Sequence, residues 1–191
     1  VSSSIHTLNL TLSKSKVQSV SEFINNIIYK GRKVVVFGSY RDPLNELYSI
    51  YKDISVKIDG SVPSHKRQEC INKFKEDKDT MIFFGNIRAA GEGINLENAS
   101  DVIFINMPFT YSEVSQAVDR CHRIGQESDV NVYYLICKDT VDEDIYNLVQ
   151  RKKRDTNIAV DGNTIIKEYE DELVDLIYKR YENTIKGNSN R

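Results

Sequence analysis

The sequence predicts an α/β fold: an open parallel sheet of about five to six strands with helices on both faces, followed by a C-terminal helical extension. Three observations carry that expectation. Short runs rich in Val, Ile and aromatic residues alternate with amphipathic stretches along most of the chain. Those runs are apolar at consecutive positions, which suits strands buried on both faces of a parallel sheet. Capping residues stand ahead of several amphipathic stretches, where crossover helices begin.

Taken in order, residues 1–12 show a weak alternation at Ile5, Leu8, Leu10 and Leu12 and read as an edge strand or the end of a linker. Residues 16–29 place Val17, Val20, Phe23, Ile24, Ile27 and Ile28 on one helical face. Residues 33–37 form the first expected strand. Asp42-Pro43 then offers an N-cap and an N1 proline to a helix bearing Leu44, Leu47 and Tyr51. Residues 56–58 are the second strand. Pro63 opens a helix running to about Lys75, with Cys70, Ile71 and Phe74 inward. Residues 80–84, 102–106 and 130–136 complete the strands.

Thr110-Tyr111-Ser112-Glu113 is a capping box ahead of a further helix, and Thr140-Val141-Asp142-Glu143 is another. The acids of the second box suit the positive end of a helix dipole, so they read as structural. Past Arg154 the alternation stops. Gly162-Asn163 marks a turn, and residues 165–185 carry Ile166, Tyr169, Leu173, Leu176, Ile177, Tyr181 and Ile185 near helical spacing. The expected divisions are 1–12, 13–154 for the α/β body and 155–191 for the helical extension, with residues 187–191 frayed.

Composition narrows the function classes. The 191 residues are 40% hydrophobic and 28% charged, which excludes a disordered chain. A net charge of −2 gives no general pull on nucleic acid, so any such contact needs a local basic face. Three cysteines, Cys70, Cys121 and Cys137, lack metal-ligand spacing and read as reduced thiols; no metal site is expected. No run approaches membrane-spanning length, no signal-peptide core is present, and secretion is not expected. A G-x-x-x-x-G-K-[ST] phosphate loop is absent from the sequence.

The most informative run is Gln116-Ala117-Val118-Asp119-Arg120-Cys121-His122-Arg123-Ile124-Gly125-Gln126. On a helix, Arg120 and Arg123 share a face and project toward the same point. Two adjacent guanidiniums repel unless an anion meets them, and a triphosphate suits their planar donor forks. His122 between them reads as a packing residue. Gly91 and Gly93 lie in a loop after the third strand, where backbone approaches ligands closely at the C-terminal edge of a parallel sheet.

This run resembles motif VI of the Snf2-type remodelling and repair ATPases of helicase superfamily 2. Gly38-Ser39 (motif IV), Ile58-Asp59-Gly60-Ser61, and Ala89-Ala90-Gly91-Glu92-Gly93-Ile94-Asn95-Leu96 (motif V) follow the same family's order. The resemblance implies a RecA-like lobe, the second of two, preceded by an N-terminal RecA-like lobe that holds ATP and most of the Mg²⁺ coordination. It implies Arg123 as the principal arginine finger, Arg120 as its partner and Gln116 as a polar contact in the catalytic set. Gly91, Glu92, Gly93 and Asn95 are the implied nucleotide contacts. Ser39, Ser61, Arg67, Asn86, Arg88 and Phe109 are the implied contacts to the backbone of double-stranded DNA, with Ser61 alternatively capping the next helix and Arg67 alternatively a solvated charge.

Two departures stand out. Phe109-Thr110-Tyr111 replaces the family's Trp-Asn-Pro, and Asn86-Ile87 replaces its Ser-Thr pair. The basic run Arg151-Lys152-Lys153-Arg154 suits a helix end or a brace against the first lobe. The implied activity is that of a DNA-stimulated ATPase and translocase, in the chromatin-remodelling or DNA repair and replication class, with the lobe inactive alone. Its alternatives are a single-strand DNA or RNA helicase lobe and a non-catalytic docking module. A nuclear location is expected in a eukaryote, a cytoplasmic one for a bacterial or viral protein.

Overall fold

A computed structural model describes residues 2–88, 94–121 and 130–155, together with residues 172, 174–176 and 179. Five strands form one parallel sheet: β1 (Val34–Gly38), β2 (Ser55–Ile58), β3 (Ile82–Asn86), β4 (Asp101–Phe104) and β5 (Asn131–Tyr134). Their order is β2-β3-β1-β4-β5. Val35 sits opposite Phe83 on one side and Val102 on the other, so the central strand is apolar along both ladders. The described helices are α1 (Ser2–Ser15), α2 (Val17–Ile28), α3 (Arg41–Ile50), α4 (Ser64–Glu76), α5 (Tyr111–Val118) and α6 (Val141–Asp155).

The consecutive apolar residues of each strand feed two separate cores. Val34, Val36, Ile82, Phe84 and Ile103 meet Val20 and Ile24 of α2 and Leu44 and Leu47 of α3. Val35, Phe37, Phe83, Val102 and Phe104 meet Phe74 of α4, Ala117 of α5 and Leu148 of α6. Each fully buried large side chain contributes about 1.5–3 kcal/mol relative to exposure. A strand with one wet face would leave half of that unrealised, which is why continuous apolarity marks these strands.

The N-terminal segment corrects the sequence expectation. It is a helix rather than an edge strand. Its inward positions are Ile5, Asn9, Leu12 and Ser13, a helical spacing in which two of four residues are polar. The apparent two-residue alternation instead includes Leu8, which is 45% exposed. Lys16, at the α1–α2 junction, is buried against Asp142: the ammonium donates to Oδ2 at 2.5 Å and to the Leu135 carbonyl at 2.8 Å.

Helix α3 is also capped differently. Its N-cap is Tyr40, in extended conformation, and Asp42 and Pro43 fall inside the first turn. Asp42 there suits the dipole and lies 2.6 Å from Lys14, while proline's missing N–H costs nothing in a first turn. The Thr110 cap is as expected, its hydroxyl accepting from the Glu113 amide at 3.3 Å. At α6 the Thr140 hydroxyl accepts from the Asp142 amide, and Glu143 reaches back to the Asp139 amide, where the backbone has φ of 60°. Most of the expected helix 165–185 lies outside the described residues; Glu172, Val174–Leu176 and Lys179 within it are helical.

Candidate functional site

The parallel sheet directs every strand's C-terminal end to one edge. From β1 the chain runs through α3 to β2, and from the adjacent β4 it runs through α5 to β5. These two helices belong to opposite cores, so β1 and β4 flank the point where the winding reverses, the place where such sheets bind ligands.

Three candidate residues meet there. Ser39, just past β1, donates its amide to Asn106 Oδ1 at 3.0 Å and receives Asn106 Nδ2 on its hydroxyl at 2.9 Å. Asn86, at the end of β3, donates Nδ2 to the Ser39 carbonyl at 3.1 Å. Its Oδ1 accepts the Arg88 amide at 3.2 Å. The Arg88 guanidinium is 82% exposed, with Glu113 Oε1 at 3.7 Å from its Nε. Beside this cluster burial pushes the Tyr40 phenol up to about 12 against the pull of Arg88, and its hydroxyl lies 2.9 Å from His6 Nδ1.

A second group closes β2. Asp59 is buried at the strand end and accepts the Ser61 amide at 2.8 Å and the Ser61 hydroxyl at 2.5 Å. Burial alone raises a carboxyl, but the two Ser61 bonds and Lys57, at 3.4 Å, hold Asp59 below its ordinary value. The Ser61 side chain is therefore turned to Asp59 and does not cap α4, whose N-cap is Pro63 without a side-chain bond. Arg67, half-buried, donates Nε to the Val62 carbonyl at 2.8 Å, which orients it along the same loop.

The third group joins the segments of motifs V and VI. Helix α5 ends at Val118, earlier than the sequence suggests, so Arg120 stands on the following turn rather than on the helix. The turn tightens there: Arg120 N donates to Ala117 O and Cys121 N to Val118 O, three residues back. Cys121 is driven fully into the core, where burial pushes its thiol up to about 12. The Arg120 carbonyl accepts the Leu96 amide at 2.8 Å, and Asn95 Oδ1 accepts the Glu97 amide at 3.1 Å. Gln116 is exposed one turn earlier and donates to Ser112 Oγ at 3.2 Å. Phe109 packs partly against the core beneath α5. Gly91, Glu92, Gly93 and Arg123 lie outside the described residues.

Residues 15–125 match the family described as helicase conserved C-terminal domain. This chain belongs to that family, on its Snf2-type branch. It is 34% identical over 175 residues to the ATP-dependent helicase FUN30 of Saccharomyces cerevisiae, a match covering 87% of this chain and 16% of that protein. It is 34% identical over 152 residues to the DNA annealing helicase and endonuclease ZRANB3 of Mus musculus, covering 78% of this chain and 14% of the relative. The crystal structure of the C-terminal part of the Fun30 ATPase domain superposes with a TM-score of 0.68 at 30% identity, covering 86% of this chain and 54% of that one. The chain thus spans under a fifth of the length of these curated relatives. The fold is RecA-like.

Within the helicase lobe, two residues at the sheet edge escaped sequence reasoning. Asn106 is 1% exposed and contacts Ser39 twice, yet in sequence it only ends an apolar run. A polar side chain closing a buried strand was the available signal. Tyr40 gave no signal, because its partner His6 lies on a helix the sequence hid. Among the described residues no cluster of His, Cys, Asp and Glu has the makings of a metal centre, and no helix is long and apolar enough to cross a membrane.

Proposed function

We propose that this is the second motor lobe of a Snf2-type, DNA-stimulated ATPase that translocates on double-stranded DNA. The observation that carries the reading is the main-chain joining of two motif segments: Leu96 of motif V donates its amide to the carbonyl of Arg120 in motif VI. Phosphoryl transfer needs positioning and charge neutralisation more than covalent chemistry. A lobe that holds Arg120 of motif VI on a core-anchored turn suits that demand. ATP with Mg²⁺ is bound mainly by the N-terminal lobe; closure brings Arg123, Arg120 and Gln116 to the γ-phosphate. Gly91, Glu92, Gly93 and Asn95 line the nucleotide side of the cleft.

Ser39, Arg67, Asn86, Arg88 and Phe109 face the DNA backbone, and Ser61 reaches it only by releasing its hydroxyl from Asp59. Such contacts position the duplex without reading its sequence. Opening and closing of the lobes ratchets these contacts along one strand. The relatives include a regulator of chromatin homolog from Caenorhabditis elegans, 36% identical over 156 residues, which supports a nuclear role in chromatin or DNA repair.

The test is Arg123→Ala and Arg123→Lys in the full-length protein. Loss of an arginine finger lowers turnover by roughly 10³–10⁵ in related phosphoryl-transfer systems. Lysine fails as well, because a point charge lacks the bidentate fork. Silent variants would leave a docking module as the reading, and stronger stimulation by single-stranded than by duplex DNA would leave a single-strand or RNA helicase lobe. DNA-stimulated turnover by residues 1–191 alone would refute dependence on the first lobe.

A further inference from the structure

We propose that Asn106 is a positioning residue that makes the Ser39 hydroxyl an outward hydrogen-bond donor to a DNA phosphate, an inference resting on the DNA-contact reading of Ser39. A backbone N–H can only donate, so the Asn106 atom 3.0 Å from Ser39 N is the carbonyl Oδ1. That bond fixes the orientation of the amide without reference to any other group. The amide's Nδ2 then stands 2.9 Å from Ser39 Oγ, and an –NH₂ group can only donate. Ser39 Oγ is therefore an acceptor on its buried side.

A hydroxyl carries one proton. With an N–H already aimed at its inner lone pair, that proton points away from Asn106. The rest of Ser39 is held too, since its carbonyl accepts Asn86 Nδ2 at 3.1 Å. Asn106 is 1% exposed, so water does not compete for its amide and a flip would leave Ser39 N–H without its acceptor. Asn86, which fixes the Ser39 carbonyl, also holds the amide of Arg88, whose guanidinium is largely exposed. A committed donor beside an exposed guanidinium matches a ligand with acceptors only. A phosphodiester oxygen is such a ligand.

The experiment measures binding of a fluorescein-labelled blunt DNA duplex to the full-length protein by anisotropy across a salt series. Ser39→Ala weakens binding roughly tenfold, the effect of one hydrogen bond to a charged group. Its salt slope stays unchanged, because a neutral donor releases no counterion. Asn106→Ala reproduces that loss at a temperature where the variant is fully folded, its melt lowered by the Ser39 amide left unpaired, and it adds nothing to the binding loss in the Ser39→Ala background. Asn106→Asp keeps the Ser39 amide bonded but accepts the hydroxyl proton inward; it also weakens binding, and it carries the double-mutant cycle if the alanine variant does not fold. Wild-type binding by the Asn106 variants alongside a weakened Ser39→Ala overturns the positioning role and leaves the DNA contact standing. An Asn106→Ala loss that persists without the Ser39 hydroxyl overturns it as well. A silent Ser39→Ala overturns both the contact and the inference.

Discussion

Replacing Asp142 with alanine removes one partner of the most deeply buried ion pair among the described residues. The Lys16 and Asp142 side chains are 6% and 2% exposed. Lys16 ties the α1–α2 junction to the first turn of α6 and to the chain leaving β5, through Asp142 Oδ2 and the Leu135 carbonyl. The same carboxylate oxygen accepts the Cys137 amide at 3.1 Å. In Asp142→Ala an ammonium stays buried with one carbonyl for company. Breaking a buried pair from one side costs about 3–5 kcal/mol. For a chain of this size that lowers the melting temperature by roughly 6–20 °C. Joint replacement, Lys16→Met with Asp142→Leu, recovers most of the loss, since an apolar pair needs no desolvation and Asp142 Oδ1 already lacks a hydrogen-bond partner in its buried position. Urea unfolding of the wild type, Lys16→Met, Asp142→Leu and the double variant measures the coupling. A single-variant loss under about 1 kcal/mol, in the range of an exposed pair, would refute the claim that this contact closes the N-terminal helices onto α6.

Two further predictions follow from groups whose titration the fold displaces. Asp59 has a folded pKa below its ordinary 3.8, so its contribution is complete above that value and is lost as pH falls through the lower folded one. Asp59→Asn therefore flattens the acid limb of the stability curve below about pH 4, read by urea midpoints across pH; an unchanged acid limb would contradict the Ser61 and Lys57 contacts as the cause. Cys121, with its thiol pushed up to about 12, carries almost no thiolate at pH 8 and is sealed in the core. Iodoacetamide should label the half-buried Cys70 and Cys137 first and reach Cys121 only on unfolding, as peptide mapping will show.

The legible parts of the fold are those where burial is two-sided. Phe83 and Phe84 are adjacent and both fully buried because they point into different cores, the pattern of a strand covered on both faces. Helix α1 was hidden for the opposite reason: Asn9 and Ser13 are fully buried polar residues on its inward stripe, so hydropathy carries no helical period there. The early end of α5 was hidden because Asp119, Arg120 and Cys121 have no breaker among them. Tertiary forces end it, with Cys121 drawn into the core and the Arg120 carbonyl taken by Leu96. Ser39, Asn86 and Arg88 become candidates through motif order, whereas the Asn106 contact to Ser39 required knowing that β1 and β4 are neighbours.

Main-chain bonds, rather than side chains, tie the proposed DNA face to the proposed nucleotide face. Ile87 N donates to Gly38 O, which sets the β3 exit beside Ser39. Leu96 N donates to Arg120 O, which sets the end of motif V beside the turn that bears Arg120. In sequence, motif V therefore has one flank at the DNA-facing cluster, at Asn86–Arg88, and its last residue, Leu96, bonded to the turn that bears Arg120. Such bonds survive side-chain substitution at every proposed contact. On the proposed reading, removing Arg88 or Ser39 therefore weakens DNA binding without displacing Arg120, and the loss is recovered at saturating duplex with the maximal ATPase rate intact. A variant of either residue that lowers the maximal rate at saturating DNA would show that the two faces communicate through side chains instead.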